Sequence, residues 1–171
     1  MKYKTFETER LLLRPVGFDD AEFIFELMTS EKWIKFIGDR KIKTVDDAHN
    51  YIKVKMMPQL IKLGYGNYAV VRKEDNVCLG TVGLYDREGL EGVDIGFAFL
   101  NRFEKQGYAS EASVRLMQAA KEDFGLNHIK GITIEANLPS QKLLEKLGLK
   151  FVKMIRLEGD PEELMLFEKR D

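Results

Sequence analysis

The chain has 171 residues and a mass of 19.7 kDa, room for one domain core and little for a second. At this length roughly 70% of the unfolded surface can be buried, and a 44% hydrophobic composition supplies a core without staples; the lone Cys78 excludes an intramolecular disulfide and points to the reducing cytosol. Lys and Arg total 27 against 28 Asp and Glu, a net charge of −1, so a nucleic-acid protein with its basic excess is not expected.

Along the chain, Met1 to Glu7 (MKYKTFE) is charged and lacks an apolar h-region, so no secretory signal is expected. Thr8 to Pro15 (TERLLLRP) reads as a first strand. Asp19 is placed to cap a helix in which Ala21, Ile24, Leu27 and Met28 share one face. Thr44, with Asp47 three residues on, resembles a capping box, and Val45, Ala48, Ile52, Met56, Leu60 and Leu63 then recur at helical spacing. Pro58 lies inside that pattern and should kink or split the helix. Gly66 to Arg72 and Cys78 to Tyr85 are rich in β formers, with a turn at Lys73 to Asn76.

Val93 to Leu100 adds a third strand after the loop Arg87 to Gly92, completing an antiparallel meander. Within it Ile95 to Leu100 is the longest apolar run, far short of the roughly 20 residues that span a bilayer. Ala109, Ala112, Leu116, Ala120 and Phe124 mark a further helix closed by Gly125. Ile129 to Ile134 is a strand, Pro139 to Leu147 a short helix ended by Gly148, and Phe151 to Leu157 and Glu163 to Phe167 two closing strands. The order β α α β β β α β α β β predicts an α/β (α+β) domain over residues 8–168, with a mixed central sheet and helices on both faces.

Three segments carry candidate chemistry. Gly64, Gly66 and Ala69 fit the dinucleotide fingerprint G-x-G-x-x-A, but a helix precedes them and a strand follows, the reverse of what a pyrophosphate site needs. Lys105, Gln106, Gly107, Tyr108 and Ala109 (KQGYA) lie in the right context, between a strand and a helix. There, successive backbone N–H groups and a helix N-terminus form an anion site without side-chain charge, Gly107 allowing close approach and Ala109 and Ser110 opening the first turn. The competing account is an ordinary glycine-bearing connection. Asn137 to Gly148 (NLPSQKLLEKLG) is another strand-to-helix junction, where Asn137 and Ser140 either cap the helix or meet a ligand.

Together, TERLLLRP with Asp19 and Asp20, the Asp94 to Phe97 strand (DIGF), the Gly107 to Ala112 turn (GYASEA) and Asn137 to Leu149 resemble, in order and spacing, the GNAT superfamily of acetyl-coenzyme A dependent N-acetyltransferases. The branch that includes the ribosomal-protein N-terminal (alanine/serine) acetyltransferases is the most similar. The resemblance implies that backbone amides of Lys105 to Ser110 cradle the pyrophosphate of coenzyme A. It implies that the DIGF strand splays from the strand at Ile129 to Ile134, and that backbone near Phe97, Ala98 and Phe99 pairs with pantetheine and polarises the thioester carbonyl, a role worth on the order of 3 kcal/mol in other acyl transfers. Asn137 and Ser140 would adjoin the cofactor.

Acetyl transfer needs a neutral amine, a polarised thioester and a proton for the departing thiolate. Asp94 occupies a position where the family often has glutamate; it serves as the base, directly or through water, or else points outward on an alternating strand. Glu111 is a weaker candidate, since an acid in a first helical turn is usually a dipole partner. Many members place a tyrosine acid seven residues after the asparagine. Here that residue is Leu144, which leaves Ser140 to assist the thiol. Gln106 stands where a Lys or Arg is commoner, and Glu104 where an aromatic is.

His49 and His128 lack companion ligands, so no metal is expected. Trp33 and Phe36 line an acceptor pocket or simply pack. The expected activity is acetyl transfer from acetyl-coenzyme A to a primary amine, on a peptide N-terminus or a small molecule, by a cytoplasmic monomer or homodimer that binds neither nucleic acid nor membrane. The alternatives are a coenzyme A binding module without turnover and an interaction domain retaining only the fold.

Overall fold

A computed structural model describes residues 2–171. Eight strands form one sheet: β1 (Phe6–Glu7), β2 (Leu11–Pro15), β3 (Asn67–Arg72), β4 (Val77–Tyr85), β5 (Val93–Phe99), β6 (His128–Thr133), β7 (Lys150–Ile155) and β8 (Leu164–Arg170), ordered β1-β2-β3-β4-β5-β6-β8-β7. All neighbours are antiparallel except β5 and β6. The helices are α1 (Ala21–Met28), α2 (Glu31–Phe36), α3 (Val45–Tyr51), α4 (Met57–Leu63), α5 (Tyr108–Glu122) and α6 (Leu138–Lys146). With short pieces merged, this is the order expected from the sequence.

Alternation along the strands builds two cores, one on each face. Tyr68, Val70, Val82, Leu84 and Ile95 pack with Ala112, Leu116, Ala119 and Ala120 of α5 and Leu144 of α6. Ala69 and Val71 point the other way, onto Ile24 and Met28 of α1 and Ala48, Ile52 and Met56 of the long helical segment. A bulge in the β3–β4 pairing between Val70 and Val71 shifts the phase of β4, which is why both Cys78 and Thr81 share the second face.

Several local expectations need correction. The strand expected from Thr8 begins at Leu11, because the Thr8 N–H donates to the Leu11 carbonyl at 2.9 Å and the Arg10 N–H to Glu111 Oε2 at 3.2 Å instead of to a ladder. Asp19 does not cap α1. A 3-10 turn at Phe18–Asp20 precedes the helix, so Asp20 is the residue whose carboxylate returns to the Gly17 N–H (2.8 Å), while both its oxygens accept from Arg14 at 2.8 Å. Helix α2 was not expected: it buries no residue and shows no apolar period, its signal being Ser30, whose hydroxyl accepts from the Trp33 N–H.

The capping box at Thr44 and Asp47 forms as expected. Pro58 splits the helix it interrupts: a π-helical turn at Ile52–Met56 separates α3 from α4, in which Pro58 occupies the first turn, where its missing donor costs nothing. Gln59 then stitches α4 to the end of β4, its Nε2 donating to the carbonyls of Leu84 (2.8 Å) and Tyr65 (3.0 Å) and its Oε1 accepting from the Asp86 N–H (3.1 Å).

Candidate active site

The parallel pair among the described strands is short. Residues Val93 and Asp94 of β5 pair with Ile129 and Lys130 of β6, and the register stops there. Beyond Asp94 the two strands diverge, so Gly96 to Phe99 keep partners on β4 but none on β6. In a ladder every second residue turns its N–H and C=O to a given neighbour. Phe97, Ala98 and Phe99 line the wedge, and alternate residues among them direct backbone N–H and C=O into it. Both parallel strands end at the same edge of the sheet and lead into helix N-termini, α5 after Gly107 and α6 after Asn137, an arrangement that places ligands beyond the carboxyl ends of strands.

At the first of these junctions the backbone is built for an anion. Lys105 (φ 61°) and Gly107 (φ 82°) are left-handed. Among the described residues, the N–H groups of Lys105 to Ser110 donate to no protein acceptor, and Gly107, Tyr108, Ala109 and Ser110 surround the N-terminal end of α5. Six free donors on a nest and a helix end suit a pyrophosphate.

Charge enters from a residue that spacing does not reveal. Arg10, in the β1–β2 connection, donates through Nη1 to the Gln106 carbonyl at 3.1 Å, and its guanidinium lies 4.3 Å from the centre of the Tyr108 ring. Arg72 reaches the Tyr108 hydroxyl from the other side at 3.4 Å. Two guanidinium groups from elsewhere in the chain thus lie beside this turn, where Gln106 itself carries no charge.

Glu111 explains why Arg10 sits there. Its Oε1 accepts from Arg10 Nε at 2.8 Å, and its Oε2 from the Thr8 hydroxyl at 2.5 Å and the Arg10 N–H. Desolvation alone would raise this carboxyl, but the bonds from Thr8 and Arg10 outweigh it and hold it below its ordinary value. A carboxylate so occupied anchors the TER segment; it is not free to act as a base. Replacing Glu111 with Ala is expected to cost about 1–3 kcal/mol, the range for a lost bonded charged group, lowering Tm by about 2–4 °C per kcal/mol for a chain of this size. Because the folded pKa is depressed, this stabilisation is present above the ordinary glutamate value and is lost as pH falls through the folded value. The Tm gap between wild type and variant should therefore close in acid.

At the second junction the Asn137 Oδ1 accepts from the Ser140 N–H at 3.3 Å, a helix cap, while the Ser140 hydroxyl has no partner among the described residues. Leu144 is 1% exposed and packs against β6, where a Cβ at Gly131 would lie 2.5 Å from its Cδ2. It is a core residue that carries no proton.

The two orientations open for Asp94 resolve inward. Its side chain is 1% exposed, on the sheet face opposite Ile95, and both oxygens accept from Arg87 Nε, at 2.8 and 3.0 Å. Burial pushes its carboxyl above the usual range, with Arg87 pulling the other way. Arg87 stacks over Tyr85, 4.7 Å from the ring centre, and the Tyr85 hydroxyl donates to Asn67 Oδ1 at 2.8 Å. The Tyr85 ring covers Gly83 and Gly96: a Cβ at either glycine would lie 2.5 or 2.7 Å from ring atoms. Tyr85, Arg87 and Asn67 have no motif spacing that could have announced them.

Cys78 lies on β4 beside Arg14 and Asp20, and burial pushes its thiol up, which disfavours a thiolate nucleophile. Among the described residues, no group of three or more His, Cys, Asp or Glu is placed to hold a metal ion, and no helix is long and apolar enough to cross a membrane.

A strand splayed from its parallel neighbour and an amide-lined turn define the class of acyl-coenzyme A fold that the sequence resembles. The chain belongs to the acetyltransferase (GNAT) domain family, which matches residues 10–150. It is 24% identical over 143 residues to a Bacillus subtilis (strain 168) protein named uncharacterized N-acetyltransferase YnaD, covering 84% of this chain and 81% of that protein. The fold matches the acetyltransferase from Agrobacterium tumefaciens str. C58 with a TM-score of 0.84 at 22% identity, covering 100% of this chain and 96% of that one. It also matches RimL, a ribosomal L7/L12 alpha-N-protein acetyltransferase solved in complex with coenzyme A, with a TM-score of 0.82 at 13% identity over 98% of each chain.

Proposed function

We propose that the protein transfers an acetyl group from acetyl-coenzyme A to a primary amine. The observation that carries this reading is the coincidence, at one edge of the sheet, of the β5–β6 wedge and the run of free N–H groups from Lys105 to Ser110. Those amides, with Arg10 beside them, hold the pyrophosphate, and the exposed backbone of Phe97, Ala98 and Phe99 holds the pantetheine arm. A backbone N–H of that segment donates to the thioester oxygen, where negative charge develops.

When bound, the cofactor supplies an activated acetyl carbon. The acceptor nitrogen forms a bond to that carbon, the carbon–sulfur bond breaks, and the sulfur departs with its electron pair. The proton lost by the amine passes to Asp94. Since that carboxylate is closed off from solvent, it takes the proton through an intervening water, and its raised pKa makes it a better acceptor than an ordinary aspartate. Leu144 supplies no acid, so the Ser140 hydroxyl, free of protein partners near the N-terminal end of α6, hydrogen-bonds the departing thiolate, which takes its proton from solvent.

Ser140→Ala is expected to lower kcat about tenfold, about 1.4 kcal/mol, with little change in KM for acetyl-coenzyme A; an equal loss in both would make Ser140 a binding residue only. The activity itself is tested by thiol release from acetyl-coenzyme A against peptide N-termini, amino acids, polyamines and aminoglycosides. Release with at least one class is expected. Cofactor binding with no release for any acceptor would favour a binding module.

A further inference from the structure

Arg87 is only half used by the protein. Its Nε serves both oxygens of Asp94, but among the described residues neither Nη1 nor Nη2 has a protein acceptor, and the side chain remains 35% exposed. Its position is fixed from two sides, by the Asp94 carboxylate and by stacking on Tyr85, which Asn67 holds in turn. A guanidinium is charged at every working pH, and its two free terminal nitrogens, held in a fixed fork, match a carboxylate.

Its place in the site decides what it can bind. A Cβ at Gly96 would lie 3.8 Å from Arg87 Nη2, so the free edge stands over β5 within three residues of the backbone assigned to the thioester. On this sheet face the Tyr85 ring that carries Arg87 lies over Gly83 and Gly96, and the small Ala98 follows on β5 towards the wedge.

We infer that Arg87 is a specificity-determining residue for the acceptor: its two free terminal nitrogens hold a carboxylate on the incoming molecule, so the preferred substrates are primary amines that also carry a carboxylate. This rests on the proposed acetyl transfer and narrows it. Carboxylate on Arg87 turns the amine toward the wedge, and the neighbouring Asp94 balances the charge of the arginine when the site is empty.

The test uses matched acceptors that differ only in that group: amino acids against their amides, and short peptides with Asp or Glu near the N-terminus against the same peptides with Asn or Gln. Wild-type enzyme should show kcat/KM at least about tenfold higher for the carboxylate member of a pair. Arg87→Lys keeps a cation for Asp94, so the fold has its buried carboxylate paired, but one ammonium lacks the fork that serves two carboxylates at once. The preference should fall to within about threefold in that variant. Each preference is a ratio measured on one preparation, so partial misfolding does not move it. A ratio near one in wild type, or a ratio unchanged in Arg87→Lys, overturns the assignment. If no amine is acetylated at all, calorimetric binding of the same pairs in the presence of coenzyme A decides. Tighter binding of the carboxylate member, lost in Arg87→Lys, upholds the arginine site while the transfer reading fails; equal binding overturns both.

Discussion

Asp94→Asn is expected to lower kcat about 100-fold or more, the lower end of what a positioned general base contributes, while KM for acetyl-coenzyme A changes little. Asparagine keeps an oxygen for Arg87 Nε but cannot take a proton, so the substitution removes the base with small disturbance to the pair. The pH profile adds an independent readout. Because burial raises the Asp94 carboxyl, wild-type activity should rise with pH through a value above the ordinary aspartate range, as the base ionises. That limb should vanish in the variant. A loss under about tenfold, or an unchanged acid limb, would place the proton elsewhere and leave Asp94 as the partner that orients Arg87.

The second large effect belongs to the cofactor cradle. Gly107→Val should raise KM for acetyl-coenzyme A by at least about tenfold, about 1.4 kcal/mol, with kcat at saturating cofactor changed much less. Two causes act together. The position has φ +82°, where a β-branched residue is strained by about 1–3 kcal/mol, and a Cβ there would stand 3.3 Å from Arg10 Nη2, pressing on the guanidinium beside the anion site. Relief of either contact turns the free N–H groups away from a common point. An unchanged KM would defeat the assignment of Lys105 to Ser110 as the phosphate cradle.

The sequence was most legible where chemistry follows local spacing. The β3–β4–β5 meander, the helix opened by Gly107 and the junction at Asn137 all announce themselves through turn residues and periods that short windows contain. The run of unpaired N–H groups proposed as the cradle was readable from KQGYA because its donors are backbone, indifferent to side-chain identity. What the chain hid depends on distant partners. Glu111 looked like a helix-dipole acid, and only the 101-residue return to Arg10 shows it as the anchor of that arginine.

Asp94 was undecided between its two faces because alternation fixes a phase only once the strand's neighbours are known; pairing with Tyr85 and Lys130 supplies it. Arg87 lies seven residues away in a glycine-bearing loop with no period at all, so nothing local marks it as the partner of a buried carboxylate. Similarly, Asp19 and Asp20 are equivalent caps by composition, and the intervening 3-10 turn selects Asp20.

On the proposed function, one edge of this sheet both holds acetyl-coenzyme A and delivers its acetyl group to an amine. Mass spectrometry of an amine panel incubated with enzyme and acetyl-coenzyme A, read alongside free thiol, tests it most directly. One N-acetylated acceptor per thiol released is expected, with Gly107→Val slowing both at limiting cofactor and Asp94→Asn slowing both at saturation. Thiol release without an acetylated amine, or neither product despite bound cofactor, would contradict it.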